Sequence, residues 1–358
     1  MISVSVPEIN CSKTDNFYTL SVQIGNSSLF CILAVISVNS MSHRIFYIER
    51  YVLPLPEGHK FPVLKYGLLR SRLADDPRFR FHPAPPVDRH TVELAHDPIY
   101  VKQFMNCELP ASAMRRIGFP WSAQLVQRSL ASVGGTLSAA RDALAGGLGI
   151  TLGGGTHHAL RSEGAGFCVF NDIAVAIEAL RRGEDRNPAA IRRAAVLDLD
   201  VHQGDGTAEI FRHDPDVFTV SIHCRSNFPF RKQQSALDIH LPDSVGDDEY
   251  LRHLDEVLPE VRAFRPEILF YQSGVDALEA DALGHLSMTH EGLRQRDIRV
   301  MTFAREHKIP LVLTLGGAYA KPIELSVEAH LNTYRCAAEI FSPDESDENS
   351  EQSQNQKS

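Results

Sequence analysis

Five stretches of this chain share one plan, an apolar run of strand length that ends in glycine or polar residues. They are "GLGITLGGGTHH" (147–158), "AAVLDLDVHQGDG" (194–206), "DVFTVSIHC" (216–224), "EILFYQSGVDA" (267–277) and "IPLVLTLGGAYA" (309–320). Runs that are apolar at successive positions mark strands buried on both faces, the signature of a parallel sheet. Helix-like segments separate several of them: "NDIAVAIEALRR", "GDDEYLRHLDEVLPEVRAF" and "THEGLRQRDIRVMTFAREHK". Strands alternating with helices predict a single α/β domain, a mainly parallel β-sheet flanked by helices on both faces. The ligand crevice of such a sheet lies beyond the carboxyl ends of its strands, so motifs far apart in the chain converge on one candidate site. Upstream, "SAQLVQRSLASVGGTLSAARDAL" (122–144) has Leu and Val at helical spacing and reads as a long core helix, in which Gly134 and Gly135 serve either close packing or a kink.

A chain of 358 residues with 43% hydrophobic content supports a core of that size. Its net charge of −9 argues against a nucleic-acid binder, because neutralising phosphates needs a basic surface. The six cysteines are scattered with no CxxC pair, which reads as a reduced, intracellular protein and excludes a zinc ribbon. The absence of a Lys/Arg run points to the cytoplasm and leaves the nucleus open. The apolar "LFCILAVISV" (29–38) is too short to span a bilayer and lacks a basic segment before it, so no membrane association is expected. It reads as a leading strand, or as an upstream extension before an alternative start at Met41. Residues 1–40 are therefore an N-terminal extension, 41–341 the folded domain, and the acidic, Ser- and Gln-rich residues 342–358 a solvated, disordered tail.

The sharpest chemical motif is "LDLDVHQGDG" (197–206). Alternate residues of a strand share a face, so Asp198, Asp200 and His202 are expected to present three polar groups together at a strand end. Two carboxylates and an imidazole are costly to bury uncompensated, and a divalent cation is the usual compensation. Asp276, after another apolar run, completes a three-ligand set that leaves a position open, as catalytic rather than structural zinc sites do. Beside it, "GGGTHH" puts His157 and His158 side by side after a glycine turn, where two imidazoles can serve as acid and base once a carboxylate fixes the tautomer and charge of one or both. Asp198 and Asp205 are the nearby carboxylates. Tyr319, on the glycine-rich "LGGAYA" turn, can donate its hydroxyl to a developing oxyanion.

With these residues assembled, the chain resembles the zinc-dependent histone deacetylases of the arginase/deacetylase superfamily, from about Phe46 to Phe341. The motifs that carry the resemblance are "RYVLPLPEGHKFPVLKY", "ELAHDPIYV", "GGTHHA", "GAGFCVFND", "DLDVHQGDGT", "SIHCRSNFPF" and "GVDALEADALG". Its style is that of the bacterial and class IV-like branch, with Gln203 where class I enzymes usually carry a second histidine. The resemblance implies zinc on Asp200, His202 and Asp276, with iron(II) a second metal that these ligand types admit. It makes His158, paired with Asp205, the general base and acid, His157, paired with Asp198, an electrostatic partner, and Tyr319 the carbonyl-polarising hydroxyl. Phe167 and Phe228 become facing walls of an acyl-lysine tunnel, with Gly166 and Gly317 in the substrate-binding set. A structural potassium ion is implied at Asp198, Asp200, His202 and Ser221. The implied substrate is an acyl-lysine protein such as a histone tail, or else an acetylated polyamine. Ala318 departs from the family, which commonly has a third glycine there; its methyl group is expected to narrow the tunnel floor or shift the tyrosine. That departure supports a competing reading as a non-catalytic acyl-lysine binding module. A binuclear manganese ureohydrolase would want more carboxylates than "DLDVH" and "GVDAL" provide.

Overall fold

The computed structural model describes residues 42–183 and 191–342 in full, and upstream of them the strands β1 (Ile9–Thr14), β2 (Phe17–Ile24) and β3 (Ser27–Cys31). β1–β3 pair antiparallel within a unit of their own, residues 1–41. β3 takes in the first residues of "LFCILAVISV"; positions 32–38 of that run, and the acidic tail from 343 onward, lie outside the described residues.

The second unit is built on eight strands: β4 (His43–Tyr47), β5 (Phe79–Pro83), β6 (Leu148–Leu152), β7 (Ala194–Asp198), β8 (Val217–Cys224), β9 (Leu237–Leu241), β10 (Ile268–Gln272) and β11 (Leu311–Thr314). They lie in the order β5-β4-β6-β11-β10-β7-β8-β9, with every neighbouring pair parallel. The five apolar runs supply β6, β11, β10, β7 and β8. Every residue of β6, β7, β10 and β11 is buried, which is why these sequences do not alternate. The edge strands β5 and β9 are half-exposed and carry mixed sequences.

The helices are α1 (Leu64–Leu73), α2 (Arg89–Glu93), α3 (Pro98–Met105), α4 (Ala111–Ile117), α5 (Ala123–Gly146), α6 (Asp172–Arg182), α7 (Asp205–Phe211), α8 (Asp247–Phe264), α9 (His290–Glu306) and α10 (Ile323–Ile340). Parallel strands connect by right-handed crossovers, so the direction of each step decides which face its helix covers. The steps from β5 to β6 and from β6 to β7 run toward β9 and lay α5 and α6 together on one face. The steps from β4 to β5, β9 to β10 and β10 to β11 run the other way and lay α1, α8 and α9 on the opposite face, where α10 packs against α9 and α1. Direction therefore reverses between the neighbours β7 and β10, and a reversal of this kind opens a crevice at the strands' carboxyl ends. Helix α5 runs unbroken, and a Cβ added at Gly134 would stand 1.7 Å from the Pro85 carbonyl oxygen, so the glycine serves close packing and not a kink. Cys107, Cys168, Cys224 and Cys336 are free thiols. Among the described residues no helix is long and apolar enough to cross a membrane.

Candidate active site

β6 ends in a glycine turn in which Gly154 and Gly155 take φ of +72° and +73°, a region that side-chain-bearing residues adopt only at a cost. Space forbids side chains as well: a Cβ at Gly154 would lie 2.4 Å from Asp172 Oδ2, and one at Gly155 2.1 Å from Gln272 Oε1. Asp172, the fully buried first residue of α6, grips the turn. Its carboxylate accepts hydrogen bonds from the backbone N–H groups of Gly155 (3.0 Å) and Thr156 (2.7 Å) and from the hydroxyls of Thr136 and Thr156. The turn delivers His157 and His158 into the crevice with ring centroids 4.1 Å apart. Each meets its own carboxylate: His157 Nδ1 lies 2.7 Å from Asp198 Oδ2, and His158 Nδ1 2.6 Å from Asp205 Oδ1.

The two imidazoles are tuned in opposite directions. Burial alone would lower His157, but the Asp198 and Asp200 carboxylates outweigh it and hold the ring at about 9. Burial, and then the charge on His157, pull His158 down to about 4 in spite of Asp205. At neutral pH the pair is one imidazolium beside one neutral base, the separation of roles that acid–base chemistry needs.

β7 ends at Asp198, so the expected alternation along one strand face does not operate. Asp198 turns to His157, and Asp200 and His202 follow in a tight loop. The backbone N–H of Asp200 bonds Asp198 Oδ1 (3.2 Å) and that of His202 bonds Asp200 Oδ1 (3.0 Å). Across the reversal in the sheet, Asp276 follows β10. One ligand atom each from Asp200, His202 and Asp276 lie within 4.8 Å of one another, all three residues being buried. His202 Nδ1 faces both carboxylates, at 2.9 Å from Asp200 and 3.1 Å from Asp276. Burial and the Asp200 charge push the Asp276 carboxyl up. His202, which burial would lower, is held at about 10 by its hydrogen bonds to Asp200 and Asp276. Two carboxylates closing on one imidazole are a donor set that fits a divalent cation. Ser221 stands opposite Asp198 in the β7–β8 register.

Around this group opens a cavity of about 160 Å³, lined also by His157, His158, Gly166, Phe167, Phe228, Gly317 and Tyr319. Phe167 holds φ at +64°, the left-handed region, with its N–H bonded to the Ile117 carbonyl at 2.8 Å and its ring against Phe61 and Phe119. The Phe228 ring meets His158 edge to face at 4.8 Å. Tyr319 sits between Phe167 and His202, with ring centroids 6.3 and 6.5 Å away, and its backbone N–H donates to Asp281 Oδ2 at 2.6 Å. Burial, and then the Asp200 and Asp276 charges, push its phenol well above the usual range, so it keeps its proton. Ala318 is fully buried and is not among the residues that line the cavity, so its methyl group does not narrow the floor. The adjacent Gly317 is the crowded position, where a Cβ would stand 1.9 Å from Asp276 Oδ2.

Several residues that position this site escaped the sequence reading. Asp172 and Asp281 lie inside the motifs "GAGFCVFND" and "GVDALEADALG"; Asp172, just beyond the apolar "FCVF", carries a usable signal, and Asp281, among other acids, carries none. Gln272, buried at the end of β10, donates to the Gly155 carbonyl and accepts from the Thr314 hydroxyl, both at 2.8 Å. Lys65 reaches from α1 to the Gly316 carbonyl at 2.7 Å. Gln203 donates to Gln233 O and Asp238 Oδ1, at 2.8 Å each, and so ties down the segment before β9.

Solved structures share the fold, and the chain has the arginase/deacetylase fold. The HDA15 HD domain superposes with a TM-score of 0.68 at 20% identity, covering 82% of this chain and 90% of its own. Acetylpolyamine aminohydrolase from Burkholderia pseudomallei superposes with a TM-score of 0.65 at 19% identity, covering 84% and 99%. The profile of the histone deacetylase domain matches residues 59–334, and the chain belongs to that family. An uncharacterized protein of Picosynechococcus sp. is 42% identical over 309 residues, 84% of this chain and all of the relative. Histone deacetylase 2 of Arabidopsis thaliana is 38% identical over 53% of this chain, a match that spans about half (49%) of that relative's own length. A probable deacetylase of Methanothermobacter thermautotrophicus is 36% identical over 52% of this chain and 58% of its own.

Proposed function

We propose that this protein is a zinc-dependent amidohydrolase that removes acetyl or longer acyl groups from the ε-amine of lysine in proteins, histone tails among them. The observation that carries the reading is the cavity, which joins the Asp200, His202 and Asp276 group to His158 and Tyr319 between two phenylalanines. An acylated lysine is apolar along its stem up to the amide, which suits Phe167 and Phe228. An acetylpolyamine would bring a second ammonium in search of a carboxylate. The lining includes Lys65 and, apart from Asp200 and Asp276, no carboxylate, which favours lysine.

Asp200, His202 and Asp276 would hold the zinc, which when bound supplies a Lewis acid for the amide oxygen and acidifies a water molecule. The chain's own groups account for the other steps. With Nδ1–H committed to Asp205, His158 offers Nε2 as the basic nitrogen, neutral at pH 7. It takes the proton of the attacking water and then delivers it to the leaving amine. His157, held charged by Asp198, adds positive potential to the same cavity. Tyr319 donates its hydroxyl to the oxygen as negative charge develops there. Gly166 and Gly317 leave the passage free of side chains.

The test is hydrolysis of acetyl-, octanoyl- and myristoyl-lysine peptides beside acetylspermidine by zinc-loaded protein. Turnover of the peptides is expected to exceed that of acetylspermidine by at least about tenfold, the effect of one misplaced charge. A preference for acetylspermidine would replace the protein-lysine reading with the polyamine one.

Zinc uptake carries its own pH signature. A His202 proton held to about pH 10 must leave when a cation binds, so proton and metal compete below that value. Zinc affinity is expected to rise with pH, by roughly tenfold per unit between pH 7 and 9. Chelator competition at several pH values measures the slope, and a flat profile would mean that His202 is not a ligand.

A further inference from the structure

Asp200 and Asp276 sit on loops beyond their strands, where backbone is ordinarily least constrained. One side chain joins the two loops from behind. Arg296, on α9, is wholly buried. Its Nη1 donates to the carbonyl oxygens of Leu199 (3.3 Å) and Gly274 (2.7 Å), and its Nη2 to that of Ser273 (3.4 Å). Leu199 immediately precedes Asp200, and Gly274 stands two residues before Asp276. The opposite edge of the guanidinium meets its neighbour Asp297, with Nε and Nη2 at 3.0 and 2.9 Å from Oδ1. The five N–H groups of the arginine are thus matched by five hydrogen bonds. Asp297 is in turn fixed by the hydroxyls of Tyr271 and Thr333, both buried, so the assembly is tied to β10 and α10.

Taking two charges out of water costs about as much as their attraction returns, so a buried ion pair is weak grounds for stability. What this pair supplies is geometry. A rigid planar fork that bonds three carbonyls on two neighbouring loops sets the distance between those loops. We infer that Arg296, held by Asp297 and Thr333, is a positioning residue that fixes the spacing of Asp200 and Asp276 and thereby sets the affinity and coordination geometry of the metal centre. The inference rests on the reading of those two carboxylates, with His202, as metal ligands.

The experiment measures zinc affinity by chelator competition, and the visible spectrum of the cobalt(II) form, on folded wild type, Arg296→Lys, Thr333→Val and Leu69→Ala. Lysine keeps the charge but cannot reproduce the fork. Thr333→Val removes one tether of Asp297 and leaves the ion pair intact, so it decides the matter if Arg296→Lys does not fold. Leu69, fully buried in α1, serves as a control for general destabilisation. The expected result is zinc binding weakened about 10- to 100-fold in Arg296→Lys and severalfold in Thr333→Val, with a changed cobalt spectrum in both. Leu69→Ala should melt earlier yet bind zinc as wild type does. Wild-type affinity and spectrum in both test variants, or an equal loss of affinity in the control, overturns the positioning role while leaving the metal centre standing. A wild-type protein that takes up no zinc overturns both together.

Discussion

Tyr319→Phe is expected to cut turnover of an acetyl-lysine peptide by about 10²- to 10³-fold, the scale for losing one oxyanion donor, with zinc content and melting temperature unchanged. The substitution removes one oxygen and nothing that holds the residue in place. The Tyr319 backbone stays tied to Asp281, and the ring keeps its contacts with Phe167 and His202. Because burial and the nearby carboxylates keep the phenol protonated, wild-type Tyr319 acts as a donor across the neutral range, so the deficit should not depend on pH between 6 and 9. A hydroxyl that bonds the substrate oxygen only as charge develops there leaves KM alone and lowers kcat. Steady-state kinetics together with metal analysis of the same preparation separate this outcome from loss of zinc. Wild-type kcat in the variant would remove Tyr319 from the mechanism.

The central strands were legible because a doubly buried parallel strand leaves no choice of residue: "AAVLD" in β7 and "ILFYQ" in β10 are apolar nearly throughout. The sequences "FRFHP" in β5 and "LDIHL" in β9 lie at sheet edges, half in solvent, and carry no such mark. The candidate site residues were legible for a related reason. Aspartate and histidine beyond the end of an apolar run have few structural uses, so Asp200, His202 and Asp276 stand out in the sequence as candidates. What the sequence could not show is contact over long separations. Arg296 reaches a carbonyl 97 residues away, yet within "THEGLRQRDIRVM" it looks like any charge on an amphipathic helix. Gln272 and Lys65 are hidden in the same way, since each bonds a backbone carbonyl on a turn distant in the chain. The strand alternation assumed for Asp198, Asp200 and His202 failed because β7 stops at Asp198, and a strand's end depends on its neighbours as well as on its own residues.

The "LGGAYA" turn gives the second large effect, and it falls one residue away from where the sequence directs attention. Gly317→Ala is expected to weaken zinc binding by about 100-fold or more, whereas Ala318→Gly should leave zinc affinity and turnover at the wild-type level. Gly317 is not at positive φ, so an alanine there brings no backbone strain, only a methyl carbon 1.9 Å from Asp276 Oδ2 and 2.7 Å from Asp200 Oδ2. A carboxylate free to swing would move aside cheaply. Asp276 is not free: it is fully buried, and its other oxygen is pinned by the Val201 N–H at 2.9 Å. A shift of Asp276 that relieves the clash moves Oδ2, the oxygen that faces His202 Nδ1 at 3.1 Å, while a shift of Gly317 strains its 2.8 Å N–H bond to Asp200 Oδ2. The methyl of Ala318 is buried and is not among the groups that line the cavity, so removing it leaves a small void outside that lining. Chelator competition on the two variants measures both arms. Equal zinc affinities in Gly317→Ala and wild type would show that Asp276 can yield without ceasing to bind, while lost turnover in Ala318→Gly with zinc retained would place the methyl group in the positioning of Tyr319.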